Sequence, residues 1–298
     1  MTSTTAQEEL AAREQALTEQ VVASFDGATL PRTGELMKAL VRHLHAFARE
    51  VRLTEAEWHA GIEFLTRCGH ITDDRRQEWI LLSDVLGLSM LTVGMNAPAE
   101  PRATEPTVFG PFFVADVPEV PFGGDIAEGV KGESCWVHGR VTDLDGHPVG
   151  GAVIDVWESD DDGLYDVQYA DGRTAGRAKT HAASDGTYGF WSVRPAPYPI
   201  PDDGPVGDLL KAAGRGPMRP AHIHFMVQAP GFHTLVTHVF PSGGPHLDDD
   251  AVFGVKESLV LDLAEHGPGS GPAGRQLDRR WWELGFDIRL ATMGGQSR

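Results

Sequence analysis

His222 and His224 stand two residues apart in Arg219-Pro220-Ala221-His222-Ile223-His224-Phe225, an apolar stretch with strand character. Successive side chains of a strand point to opposite faces, so these two imidazoles share one. Two imidazoles on one face can grip a transition metal, and imidazole suits zinc, copper, iron and nickel alike. Two of the four tyrosines supply a discriminating donor: Tyr165 follows Asp162-Gly163-Leu164, and Tyr198 lies within Pro195-Ala196-Pro197-Tyr198-Pro199-Ile200-Pro201. Such turn-rich sequence can present a phenol. A free phenol keeps its proton until about pH 10, so a strongly Lewis-acidic ion is its natural partner. Two histidines plus two tyrosines point to Fe(III) rather than zinc.

The elements that must hold these residues fall into two parts. From about Glu8 to Asn96 the pattern is helical, with Leu36, Leu40, Val41, Leu44, Phe47 and Val51 on one stripe. Thr54 and Glu57 form a capping box for the next helix. The dense run Ile80, Leu81, Leu82, Val85, Leu86 and Leu88 predicts a helix buried on more than one side, facing a pocket or a partner. Past Ala97-Pro98-Ala99-Glu100-Pro101 the pattern changes to short valine-, isoleucine- and phenylalanine-rich runs between turn residues. The domain division is therefore placed as a helical part over 1–105 and a β part over 106–298.

Strands are predicted near 134–142, 152–158, 186–193, 222–228, 235–240 and 257–261, with a last one around Trp281 to Phe286 and a loop over 267–274. Hairpin chemistry at Asp143-Leu144-Asp145-Gly146 and the lack of intervening helices indicate an antiparallel sandwich. The fold class is thus mixed and mainly β, a sandwich preceded by an α-helical domain.

With 298 residues and 41% apolar side chains, the chain can build a real core. Its formal charge of −18 argues against a nucleic-acid backbone as partner. Cys68 and Cys135 are the only cysteines, which gives a disulfide framework no support and suits a reducing cytoplasm. Met1 to Leu10 has no signal-peptide pattern, and no later apolar run reaches membrane-spanning length.

Val137, Gly139, Val141, Gly146, Val149, Ile154-Asp155-Val156, Gly163 and Tyr165 stand at spacings that resemble the intradiol ring-cleavage dioxygenase signature. The resemblance continues through Gly186-Thr187-Tyr188, Tyr198-Pro199-Ile200-Pro201 and Arg219 to Phe225, and so covers most of the second part. It implies that Tyr165, Tyr198, His222 and His224 ligate one non-haem Fe(III) per subunit, with Tyr198 and His224 axial. It further implies that Tyr198 leaves the metal as a diol binds and takes a phenolic proton, and that Arg219 lies against the ring and stabilises negative charge. Thr104 to Phe113 and Leu81-Leu82-Ser83-Asp84-Val85-Leu86-Gly87 look most like the hydroxyquinol-cleaving branch, an activity of aromatic-compound degradation. By that resemblance Leu81, Asp84, Val108, Phe109, Gly110, Ile200, Pro201, Arg219 and Val252 line the substrate pocket. Asp84 would accept a hydrogen bond from the third ring hydroxyl, which discriminates against an analogue lacking it. The helical part implies a homodimer whose interface can hold a phospholipid.

Other readings stand beside this one. Catechol or a chlorocatechol could be the substrate, and His238 follows Thr237 where many catechol-cleaving members carry a glutamine. A cupin-like site could use His222, His224 and His238 without any phenolate. A non-enzymatic sandwich could bind a ligand through its loops. Arg219 could simply pair with a carboxylate, and Asp84 could be a solvated or capping residue. Asp160-Asp161-Asp162 and Asp248-Asp249-Asp250 read as solvated loops, because neither has calcium-loop spacing. His43 and His45 cannot share a helix face and read as surface or interface residues.

Overall fold

The computed structural model describes residues 2–73 and 76–294. Two compact units are present, Met1–Arg67 and Cys68–Arg298. This division by compactness falls earlier than the expected one at 105/106 and groups the fourth and fifth helices with the strands.

The first unit contains α1 (Thr2–Ala23), α2 (Pro31–Glu50) and most of α3 (Glu55–Ile71). Pro31 opens α2, where a missing N–H leaves nothing unsatisfied. Ahead of α3 the expected capping box forms: Glu57 N donates to Thr54 Oγ1 at 3.2 Å and Thr54 N donates to Glu57 Oε2 at 2.8 Å. Arg49 Nη1 donates to Thr18 Oγ1 at 2.7 Å, and that hydroxyl meets His45 Nδ1 at 3.0 Å, tying α2 to α1. Val41 is buried, whereas Leu36, Leu40, Leu44, Phe47 and Val51 remain 49–54% exposed. Packing of α1, α2 and α3 within this unit leaves this apolar stripe uncovered.

In the second unit, α4 (Glu78–Val85) and α5 (Leu88–Asn96) are separated at Gly87, whose φ of 72° ends one helix and starts the next. Leu81 and Val85 are buried but Ile80, Leu86 and Leu88 are exposed, so the apolar run is covered on one side only, not on several as expected. Among the described residues no single helix is long and apolar enough to cross a membrane.

The strands are β1 (Ser134–Thr142), β2 (Val153–Trp157), β3 (Arg177–His181), β4 (Thr187–Val193), β5 (Tyr198–Pro199), β6 (Met218–Arg219) and β7 (Ile223–Gln228). They continue as β8 (Leu235–Pro241), β9 (Val260–Leu261), β10 (Leu263–His266), β11 (Gly269–Ser270), β12 (Gln276–Leu277), β13 (Trp281–Gly285) and β14 (Ile288–Arg289). Of the two larger sheets, one runs β10-β13-β1-β14 with β4 also on β1 and the other runs β3-β2-β7-β8-β9; β5-β6 and β11-β12 form two-stranded ribbons. Pairing is antiparallel except at β1–β13, β1–β14 and β8–β9, so the sandwich is mixed in places. The strand β3 and the helix α6 (Pro205–Ala212) were not foreseen.

Alternation on β7 sends Ile223, Phe225 and Val227 into the core between the sheets, together with Val137, Phe190 and Leu284. His222 and His224 consequently share the other face of that sheet. Register places Arg177, Trp157, His224 and His238 opposite one another across β3, β2, β7 and β8, a single row on the histidine face.

Candidate metal centre

The two histidines and two tyrosines singled out from the sequence converge. Tyr165 Oη lies 2.9 Å from His224 Nε2, 3.4 Å from His222 Nε2 and 3.3 Å from Tyr198 Oη. His222 Nε2 is 3.2 Å from His224 Nε2 and 3.5 Å from Tyr198 Oη. All four side chains are buried. His222 Nδ1 faces the Pro220 carbonyl at 2.8 Å; since a carbonyl can only accept, Nδ1 carries the hydrogen and Nε2 keeps its lone pair. Gly163, at a φ of 80°, allows the two tyrosine loops to meet, because a Cβ there would stand 2.7 Å from Tyr198 Cβ.

Burial, aided by the Arg219 charge, holds His222 well below the ordinary imidazole range. His224 is lowered likewise, by burial and then by His238, His222 and Arg219. Both imidazoles are therefore neutral and free to donate lone pairs. Burial, then the neighbouring Tyr198, pushes the Tyr165 phenol well above its usual value, so only a strong cation would ionise it near neutrality. Donors bonded to one ion at about 2.1 Å and at right angles stand about 3 Å apart. The observed separations fit that spacing, and Tyr198 and His224 are the one pair of the four without a mutual hydrogen-bond contact. The residues present fit a metal ion with mixed imidazole and phenolate ligation.

Arg219 is fully involved in the cluster. Its Nη1 lies 3.0 Å from His222 Nε2, and Nε donates to Asp250 Oδ1 at 3.1 Å. The carboxylate pairing weighed for Arg219 thus coexists with its place beside the donors. Burial opposes its charge, but the paired Asp250 carboxylate keeps the guanidinium protonated. Asp250 also accepts from Val252 N and Gly254 N. It is buried, not solvated as expected; Asp160 is buried too, accepting from Asp162 N, Leu164 N and Tyr169 Oη. Next to His224, at 4.2 Å between ring centroids, His238 is wholly buried with neither ring nitrogen hydrogen-bonded. His222, His224 and His238 offer nitrogen atoms within 4.8 Å of one another.

A cavity of about 620 Å³ opens nearby, lined by Leu81, Asp84 and Pro201 among the expected residues. Sequence reasoning missed Phe112, Phe113 and Gln168 in its wall. Phe112 stacks on Tyr165 at 4.6 Å between centroids, which joins the cavity wall to the donor cluster. Val108, Phe109, Gly110, Ile200, Arg219 and Val252 are not among its lining residues. Of these, Gly110 presses on His224, since a Cβ there would come within 3.0 Å of Cε1. Phe109 is 41% exposed and packs on Phe113, while Val108, Ile200 and Val252 are buried. Asp84 is buried and its carboxyl is raised by desolvation, against the lowering effects of Ser89 and Arg219.

A buried histidine and phenol cluster on the outer face of a β-sandwich, with a cavity of ligand-binding size nearby, has the donor set of a metal centre. The family model described as Dioxygenase matches residues 114–292, and that of the catechol dioxygenase N terminus matches 31–104. Hydroxyquinol 1,2-dioxygenase of Nocardioides simplex is 59% identical over 97% of this chain and 99% of its own. The enzyme of the same name from Rhodococcus opacus is 58% identical over 97% and 98%. The solved hydroxyquinol 1,2-dioxygenase of Pseudomonas putida DLL-E4 superposes with a TM-score of 0.89 at 43% identity, covering 95% of this chain and all of that one. The chain belongs to the intradiol ring-cleavage dioxygenase family and is a dioxygenase.

Proposed function

We propose that this protein cleaves hydroxyquinol (benzene-1,2,4-triol) with O2 to 3-hydroxy-cis,cis-muconate, which tautomerises to maleylacetate, as a step of aromatic-compound degradation. The observation that carries the reading is the convergence of Tyr165, Tyr198, His222 and His224 within 2.9–3.5 Å contacts. Hydroxyquinol is favoured over catechol or a chlorocatechol by the buried Asp84 in the cavity and by the activity of the similar enzymes. One ferric ion per subunit, held by these four residues, would supply Lewis acidity to the two adjacent substrate oxygens.

In this reading Tyr198, if held as its phenolate by that ion, would take a phenolic proton on Oη as the triol enters and become a neutral phenol. Arg219, fixed by Asp250, keeps a permanent positive charge beside the reacting ring. Asp84 accepts a hydrogen bond from the third hydroxyl, and Phe112, Phe113 and Pro201 give the cavity its apolar wall. The carbon–carbon bond between the two adjacent oxygen-bearing carbons breaks, and both atoms of O2 enter the product. Incubation with isotopically labelled O2 tests this: a ring-opened dicarboxylate carrying both labelled atoms is expected, and an aldehyde-containing product would contradict it.

The orphaned nitrogens of His238 favour one other arrangement, a three-histidine site without phenolate. Tyr165→Phe with full metal content would support that version. The exposed stripe Leu36 to Val51 supports a homodimer through the N-terminal helices, with a phospholipid tail as a further occupant of that face. In this account 1–105 serves dimerisation and 106–298 catalysis, and the two buried thiols suit a reducing cytoplasm.

A further inference from the structure

Arg177, the first residue of β3, is buried and its guanidinium joins three parts of the site. Its Nε donates to both carboxylate oxygens of Asp166 at 2.7 Å, and Nη2 also donates to Oδ1. Asp166 is the residue immediately after Tyr165 and accepts a further bond from Ala175 N at 3.2 Å. Arg177 Nη1 donates to the Phe112 carbonyl at 2.9 Å, and the Phe112 ring is the one stacked on Tyr165. Arg177 lies in the same row across the sheet as Trp157 and His224, and the Trp157 ring stacks on His224 at 4.6 Å. A second tie comes from Gln168, whose Oε1 accepts from Tyr165 N at 2.9 Å.

Among the described residues nothing comparable holds Tyr198. Its strand is two residues long and pairs with Met218–Arg219, and Tyr198 itself lies between Pro197 and Pro199, which have no N–H to donate. We infer that Arg177 is a positioning residue that, through Asp166 and Phe112, fixes Tyr165 as the permanent phenol of the donor cluster and leaves Tyr198 as the phenol free to exchange. This rests on the ligand assignment proposed above. A planar guanidinium gripping a carboxylate with two nitrogens suits the task, because its fork fixes orientation as well as distance. Lysine would keep the charge and lose the fork.

The test uses the full chain loaded with ferric iron and reads the phenolate-to-iron visible band, iron retention against a chelator, and kcat separately from KM. R177K is expected to shift the band, speed iron loss and lower kcat about 10- to 100-fold, the size of effect that sub-ångström misplacement brings. KM should change much less. The shift should persist in the Y198F background, where Tyr165 is the remaining phenol. Loss of iron from R177K with native circular dichroism also supports the lock.

A band and kcat left in place while only the melting temperature falls would overturn it. So would a shift that vanishes in Y198F. If R177K misfolds, Q168A carries the test, with a smaller shift expected and an unmoved band as refutation. Failure of the ligand reading is separable, because in that case neither Tyr165→Phe nor Tyr198→Phe alone would alter the visible band.

Discussion

The loops bearing Tyr165 and Tyr198 bring the same functional group to one point by opposite means. Tyr165 is wholly inaccessible, and its loop is bolted by Asp160, which accepts two backbone N–H groups, by Gln168, and by the Asp166–Arg177 pair. Tyr198 rides on a two-residue ribbon whose partner strand ends in Arg219, itself held by Asp250. Each tyrosine therefore has an arginine–aspartate pair nearby. In the first, the aspartate is the tyrosine's own chain neighbour; in the second, the pair supports the strand facing the tyrosine. Identical donors can thus be assigned different duties by how their backbones are tethered.

Exchanging each phenol for a phenyl ring puts that contrast under the greatest load. Tyr198→Phe should retain most of its iron yet lose turnover about 10²-fold or more, the usual worth of a positioned base. Tyr165→Phe should fail to hold iron. Equal iron loss in the two variants, read by metal analysis, would remove the distinction between them.

Asp250→Ala strips the support on the Tyr198 side and leaves the buried Arg219 charge unpaired. A loss of about 3–5 kcal/mol is expected, because both side chains are almost inaccessible. Thermal or denaturant unfolding measures it, and an unchanged midpoint would show that Asp250 is not the arginine's partner in solution. Asp84→Ala leaves both tyrosine loops intact and should reduce the preference for hydroxyquinol over catechol about tenfold, the worth of one buried hydrogen bond. A constant kcat/KM ratio would take Asp84 out of recognition.

The smallest effect belongs to Glu158, buried with Oε2 unpartnered and Oε1 accepting from Ser192 Oγ. Burial raises its carboxyl well above the usual range, opposed by the Val193 backbone. A raised folded-state value means that the neutral acid stabilises the fold at low pH and that this stability is lost as pH rises through that value. Glu158→Gln should accordingly flatten the fall in stability that begins as pH rises above the ordinary carboxylate range. An unchanged slope of melting temperature against pH above that range would contradict the assignment.

Much of this site was legible in the sequence because its signal is local. His222 and His224 declare a shared face by spacing alone, and the tyrosines lie in turn sequence that can present a phenol. Partners distant in sequence were not legible: nothing near Arg219 names Asp250, and nothing near Tyr165 singles out Arg177. Arg177-Ala178-Lys179-Thr180-His181 hides its strand behind charged residues, since pairing with β2 overrides weak propensity. Asp160 and Asp250 read as solvated because aspartate runs usually are; here each satisfies backbone N–H groups of its own turn. The exposed side of α4 shows the converse limit, as hydrophobicity alone cannot say which face finds a neighbour.

Oxygen uptake by the iron-loaded protein, with hydroxyquinol and catechol offered in parallel and hydroxyquinol autoxidation subtracted, tests the central claim most directly. Faster enzymatic uptake with hydroxyquinol is the predicted result. Uptake with neither substrate would contradict the assigned reaction, and a preference for catechol would contradict the assigned substrate.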